Sequence, residues 1–183
     1  MEHVQGTNDE RLVTVARGAT AGIIAGTIFG LSEMAAAAIA SHEPLLPVKM
    51  AASVWLAHSA FSAGTVPVVL CGAVIHYLIA IAFGVIGALL YEWTDWSRHM
   101  RLGVVPMVSI GALYGVFVWL INLDVIAGSF LPWIWRAHQP AQLLLHAVFY
   151  GIPVGVSLVG LAVSSRNPPD VVPLRLNDSS GRV

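Results

Sequence analysis

The sequence predicts an all-α membrane protein: a four-helix transmembrane bundle with a short interfacial or re-entrant helix between spans one and two. Two observations carry that prediction. Of 183 residues, 57% are hydrophobic and only 10% charged, where soluble domains are roughly half apolar and a quarter charged. The apolar residues also fall into four blocks, 18–41, 67–92, 103–127 and 141–164. Each is long enough for the roughly 20 residues that a helix needs to cross a ~30 Å hydrocarbon core. Helices follow because a backbone in lipid must satisfy its own hydrogen bonds.

Taken in order, residues 1–17 are polar and read as a cytoplasmic tail. The transmembrane domain covers 18–165, and 166–183, "RNPPDVVPLRLNDSSGRV", reads as a flexible cytoplasmic tail without an apolar face. The first span ends in "AAAAIASHE", which has the small residues of a signal-peptidase site, but the acidic leader "GTNDE" argues that the span is retained. Between spans one and two, the apolar run from about Pro47 to Phe61 is too short to cross and predicts the extra helix. Trp133 and Trp135 before span four, and Tyr91, Trp93 and Trp96 after span two, suit the two interfacial belts. "VWLAHS" (54–59) and "IWRAHQ" (134–139) echo each other, consistent either with two similar hairpins or with unrelated loops.

Charge gives the orientation. Seven basic residues (Arg11, Arg17, Arg98, Arg101, Arg166, Arg175, Arg182) fall on one side of the spans, and only Lys49 and Arg136 on the other. The positive-inside rule then places both termini in the cytoplasm. The net charge of −1 offers no footprint for nucleic acid. The single cysteine, Cys71, excludes an internal disulfide and reads as a small apolar filler.

The chemistry lies in polar residues that interrupt the spans. At about 100° per residue, Gly18, Gly22, Gly26 and Gly30 form one face of span one, and Glu33 falls in its middle. A glycine face is where another helix approaches closely, so Glu33 is expected to point into the bundle. His76 shares a face with Gly72, Ala80, Gly84 and Gly87. On span four, Gln142, His146, Tyr150, Ser157 and Gly160 form one stripe, with Gly151 and Gly155 opposite. On span three, Asn122 shares the face of Gly111 and Gly115, while Asp124 points elsewhere. By depth, Glu33, His76, Asn122 and His146 all fall within roughly 8–14 Å of the outer surface at 1.5 Å per residue. They predict one polar pocket, with His58 or Arg136 as further contributors from the outer loops and no matching set in the cytoplasmic half. His3, His42, His99 and His138 read as solvated.

Several readings of that cluster stay open. Its members can simply bond one another and fix helix register. Glu33, His76 and His146 can supply a metal site, or His76 and His146 the axial ligands of a haem, although no HxxxH or HExxH pair supports either. A His/Glu cluster also suits a small proton-coupled transporter or pH-responsive device. Finally, the glycine faces suit an accessory protein packed into a homo-oligomer or a larger membrane complex. Catalysis is not expected, since there is no GxSxG motif and no ordered nucleophile.

"AGIIAGTIFGLSEM", "EPLLPVKMAASV", "VIHYLIAIAFGVIGALLY", "GVFVWLINLDVIAGSFLPW" and "LLLHAVFYGIPVGV" together resemble small four-span bacterial inner-membrane proteins, and more distantly are similar to the YagU family. The resemblance covers about 18–164 and rests on a histidine opening a Phe/Gly-rich span, an aromatic Pro-Trp loop and a histidine early in the last span. It implies a location in the bacterial inner membrane and a link to acid tolerance. His76, His146, Asn122 and the "LPW" of 131–133 are the positions it carries over.

Overall fold

The structure, a computed structural model, describes residues 2–94, 104–135 and 139–166, and no strand occurs among them. Helix α1 is Glu2–Ser41; α2 is Leu46–Leu56, continued by a 3₁₀ turn, Ala57–Phe61; α3 is Thr65–Trp93. Helix α4 begins as Val104–Trp119, becomes π-helical over Leu120–Ala127 and ends with a last turn, Gly128–Phe130. A single turn, Pro132–Trp135, is α5. Helix α6 runs as Gln139–Leu145, a π-helical stretch His146–Gly151, and Ile152–Arg166. Four stretches are long and apolar enough to cross a membrane: Glu10–Ser41, Thr65–Trp93, Val105–Ala127 and Gln139–Leu161. The bundle and its extra helix match the sequence reading.

One boundary differs. Residues 1–17 were expected as a separate tail, yet α1 starts at Glu2. Thr14 is 2% exposed and donates from its hydroxyl to the Glu92 carboxylate at the end of α3. The helix is therefore already docked on its neighbour before the apolar block begins. The last tail, from 167 onward, lies outside the described residues.

The helices meet through glycine. Lipid tails are as apolar as leucine, so helices in a bilayer gain little from burying apolar surface and associate where their backbones can touch. A β-carbon on Gly22 would lie 2.5 Å from the Ala80 carbonyl oxygen, and one on Gly18 2.6 Å from Val85 Cα. This seam joins α1 to α3. A second joins α4 to α6, where a β-carbon on Gly111 would lie 2.5 Å from the Gly151 carbonyl and one on Gly155 2.7 Å from that of Met107. The two seamed pairs then pack together around Phe29, Ala80, Val118, Tyr150 and Val154.

Helix α2 is set down on the start of α3. His42 takes the left-handed backbone conformation (φ 59°) that ends α1, and Pro47 opens α2. Ala52, Ala60 and Val68 form a small cluster of their own with Cys71 packed on it, and Gly72 lets the Val48 carbonyl approach α3. Cys71 is thus the apolar filler the sequence suggested.

The stripe expected on span four holds for Gln142, His146 and Tyr150 but not beyond them. Gly160 is exposed, with nothing within 4 Å of where its β-carbon would be. The π-helical stretch at 146–151 changes the angle per residue, so positions after it no longer continue a face computed for a regular helix. Gly151 and Gly155, which also suited partner packing, are used within the chain against α4.

These contacts set an expectation for stability. Gly22→Ala, which puts a methyl group against the Ala80 carbonyl, should lose about 2 kcal/mol or more. Gly160→Ala, on the open face, should be neutral or up to ~1 kcal/mol more stable through helix propensity. Unfolding in increasing SDS, followed by far-UV circular dichroism, checks both.

Candidate functional site

At the end of the bundle covered by α2 lies a cavity of about 290 Å³. Glu33 of α1, His76 of α3, Asn122 of α4, and Gln142, His146 and Tyr150 of α6 all line it. The structure therefore brings the six polar residues singled out in the sequence to one wall system. The rest of the lining is apolar: Phe29, Ile79, Phe83, Val118 and Leu123 among the spans, with Pro47, Met50, Ala51 and Val54 as the roof. A latch holds the roof. Trp133 Nε1 donates to Ser53 Oγ at 3.0 Å, and the Trp133 ring lies 4.6 Å from that of His58.

His76 occupies space that glycine leaves free. Along the seam between α1 and α3, backbone contact at Gly18 and Gly22 gives way to side-chain contact, and at Gly30 the three atoms nearest an added β-carbon belong to the His76 ring, Nε2 being 3.2 Å away. His76 Nε2 lies 2.8 Å from the Gly26 carbonyl oxygen. A carbonyl only accepts, so this nitrogen carries the hydrogen and Nδ1 is left as an acceptor.

The other two spans contribute through π-helical turns. Asn122 lies in the π-helical stretch of α4, and His146 and Tyr150 in that of α6. Such turns widen a helix locally and are frequent at functional sites. Gly115 lets the backbone at His146 and Ala147 approach α4. His146 is 5% exposed, and its Nδ1 lies 2.8 Å from the Gln142 carbonyl oxygen, which fixes the hydrogen on Nδ1 and leaves Nε2 as the acceptor. Tyr150 donates its hydroxyl hydrogen to the Ala80 carbonyl at 2.8 Å, tying α6 to α3.

Phe29 is the residue that pattern reading missed. It is 8% exposed and its ring touches three of the polar residues: stacked on His76 (centroids 6.1 Å, planes 4° apart), edge-on to His146 (4.5 Å) and edge-on to Tyr150 (6.1 Å). Its signal was available only as position, one turn before Glu33. Glu33 has the Gln142 side-chain amide as a hydrogen-bonding neighbour. Asn122, half-buried, has no hydrogen-bond partner among the described residues.

The metal reading of Glu33, His76 and His146 does not find a ligand set here. Among the described residues no three His, Cys, Asp or Glu side chains come together closely enough to hold an ion. Each histidine ring is held by one bond to a backbone carbonyl, and Phe29 lies against both rings. His58 packs on Trp133 rather than lining the cavity, Asp124 is exposed, and Arg136 lies outside the described residues.

A second cavity, of about 370 Å³, lies toward the other end, between α3, α4 and α6. Tyr91, Thr94 and Tyr114 are its polar residues, beside Met107, Val154 and Leu158, and no carboxyl, imidazole or amide side chain lines it. The sequence reading had likewise assigned no matching polar set to that half.

The Tyr150 bond gives a measurable quantity. Tyr150→Phe removes the hydroxyl that joins α6 to α3 and should cost about 0.6–1.7 kcal/mol, the range for interhelical hydrogen bonds in bilayers, read by SDS unfolding as above. Compared with protein-family models, curated proteins and solved structures, the chain matches none.

Proposed function

We propose that this chain is a non-catalytic binding protein of the bacterial inner membrane, with both termini cytoplasmic and a small-molecule pocket in the outer half of the bundle. The observation that carries the reading is the convergence of polar side chains from all four spans on one largely apolar cavity of about 290 Å³. Small-molecule sites have this character, a concave apolar surface with a few placed polar groups, and begin near ~300 Å³. The cavity is also about twice the ~150 Å³ that takes up benzene in an engineered protein core. The pocket is roofed by α2, which packs on α3 and is joined to α5 by the Trp133–Ser53 hydrogen bond and the His58–Trp133 ring contact.

The alternatives draw less from the geometry. A metal site finds no group of three His, Cys, Asp or Glu side chains among the described residues, and Phe29 lies against both histidine rings. Packing in a larger complex has Gly160 as an open small residue, but the other glycines of α6 are used internally. A proton-coupled device keeps one supporting observation: Glu33 and both histidines line the same cavity, as the acid-tolerance link of the YagU resemblance would want.

Two measurements test the proposal. Protein reconstituted in nanodiscs should bind 1-naphthalenemethanol saturably in equilibrium dialysis, above the uptake of empty nanodiscs. Ala51→Phe, which fills the roof, should weaken that binding by about tenfold, one order in affinity being ~1.4 kcal/mol. For orientation, a C-terminal fusion to alkaline phosphatase should be inactive and one to green fluorescent protein should fluoresce.

A further inference from the structure

The polar groups of the cavity are strongly biased toward accepting hydrogen bonds. The Gly26 and Gln142 carbonyls hold the ring hydrogens of His76 and His146, so each imidazole has only a lone pair left for an occupant, on Nδ1 and Nε2 respectively. The Tyr150 hydroxyl has given its hydrogen to the Ala80 carbonyl and retains only acceptor capacity. Glu33 adds a carboxyl group, with Gln142 as its neighbour. On the donor side stand only the amides of Asn122 and Gln142. No Lys or Arg lines the cavity among the described residues, and Lys49, half-buried on α2, is paired with the exposed Glu43 at 3.5 Å.

We propose that the cavity binds a small lipophilic amine in its ammonium form, one or two rings in size, with the nitrogen on the Glu33 side of the wall that His76 and His146 also line. This deepens the binding reading above and rests on it. An ammonium group supplies up to three donors where the wall offers acceptors. Its charge meets the carboxylate, and its neighbouring carbons meet the faces of Phe29 and Phe83, which attract cations. The apolar body fills the part lined by Ile79, Val118 and Leu123. An anion would lie beside Glu33 with no opposing cation, and a pure hydrocarbon would leave three acceptor groups unpaired in a low-dielectric site.

The test is a matched series of one shape, 1-naphthylmethylamine, 1-naphthalenemethanol, 1-methylnaphthalene and 1-naphthoate, each titrated into the full chain in nanodiscs with empty nanodiscs subtracted. The expected result is saturable binding with the amine tighter than the methyl compound and the carboxylate by at least roughly tenfold. Glu33→Gln should remove most of the amine's preference over the methyl compound. If the alcohol or the methyl compound binds saturably and the amine binds no tighter, the ligand class is wrong and the pocket reading survives. If none of the four binds above empty nanodiscs, the pocket reading itself falls. The ranking is measured on the unmutated chain, so the proposal is decided even if Glu33→Gln does not fold.

Discussion

The structure depends on what glycine lacks. In lipid, helices associate through close packing rather than through escape from water, and a β-carbon at the contact keeps the backbones apart. Gly18 and Gly22 of α1 against α3, and Gly111 of α4 and Gly155 of α6 against each other's helix, remove that obstacle in both helix pairs. The same seams decide where contact ends. Moving along α1 from Gly18 to Gly30, the nearest atoms change from the α3 backbone, through the Ala80 side chain, to the His76 ring. The cavity begins where the helices stop touching directly and side chains fill the interval.

The two histidines are therefore products of the packing. His76 can reach the Gly26 carbonyl because neither Gly26 nor Gly30 has a side chain in the way. His146 sits at the opening of a π-helical turn and bonds the carbonyl four residues back, the one a regular helix reserves for its own N–H. In both cases a backbone carbonyl orients the ring and selects the tautomer. The result is a pair of fixed acceptors on either side of Phe29, a more specific arrangement than two histidines free to exchange roles.

Much of this was legible because glycine and polar residues share faces at 100° per residue. Glu33 in the middle of the Gly18–Gly30 face, His76 among Gly72, Ala80 and Gly84, and His146 between Gln142 and Tyr150 all follow from that arithmetic, while the helix near 47–61 follows from an apolar run too short to cross. The arithmetic fails where the helix is not regular. Nothing in "LINLDVIA" or "HAVFYG" announces a π-helical turn, because such turns arise from tertiary packing rather than local propensity. Phe29 escaped notice for a related reason: an aromatic residue in an apolar span has no sequence signal that separates lipid contact from a place between two histidines. The start of α1 was hidden because a polar segment becomes helical once Thr14 finds Glu92.

The energetics bear on whether the cluster is only structural glue. A charged side chain at the centre of a spanning helix costs about 2.5–3.5 kcal/mol on insertion scales. An interhelical hydrogen bond between side chains returns about 0.6–1.7 kcal/mol, and Gln142 is the neighbour that Glu33 has for it. For an ionised Glu33 the two would not balance, whereas Tyr150 and both histidines each have a carbonyl partner. Glu33 is thus the member of the set that mutual bonding leaves undersupplied, and it lines a cavity with room for something more. Tyr150 and His76 already bond across helices, α6 to α3 and α3 to α1.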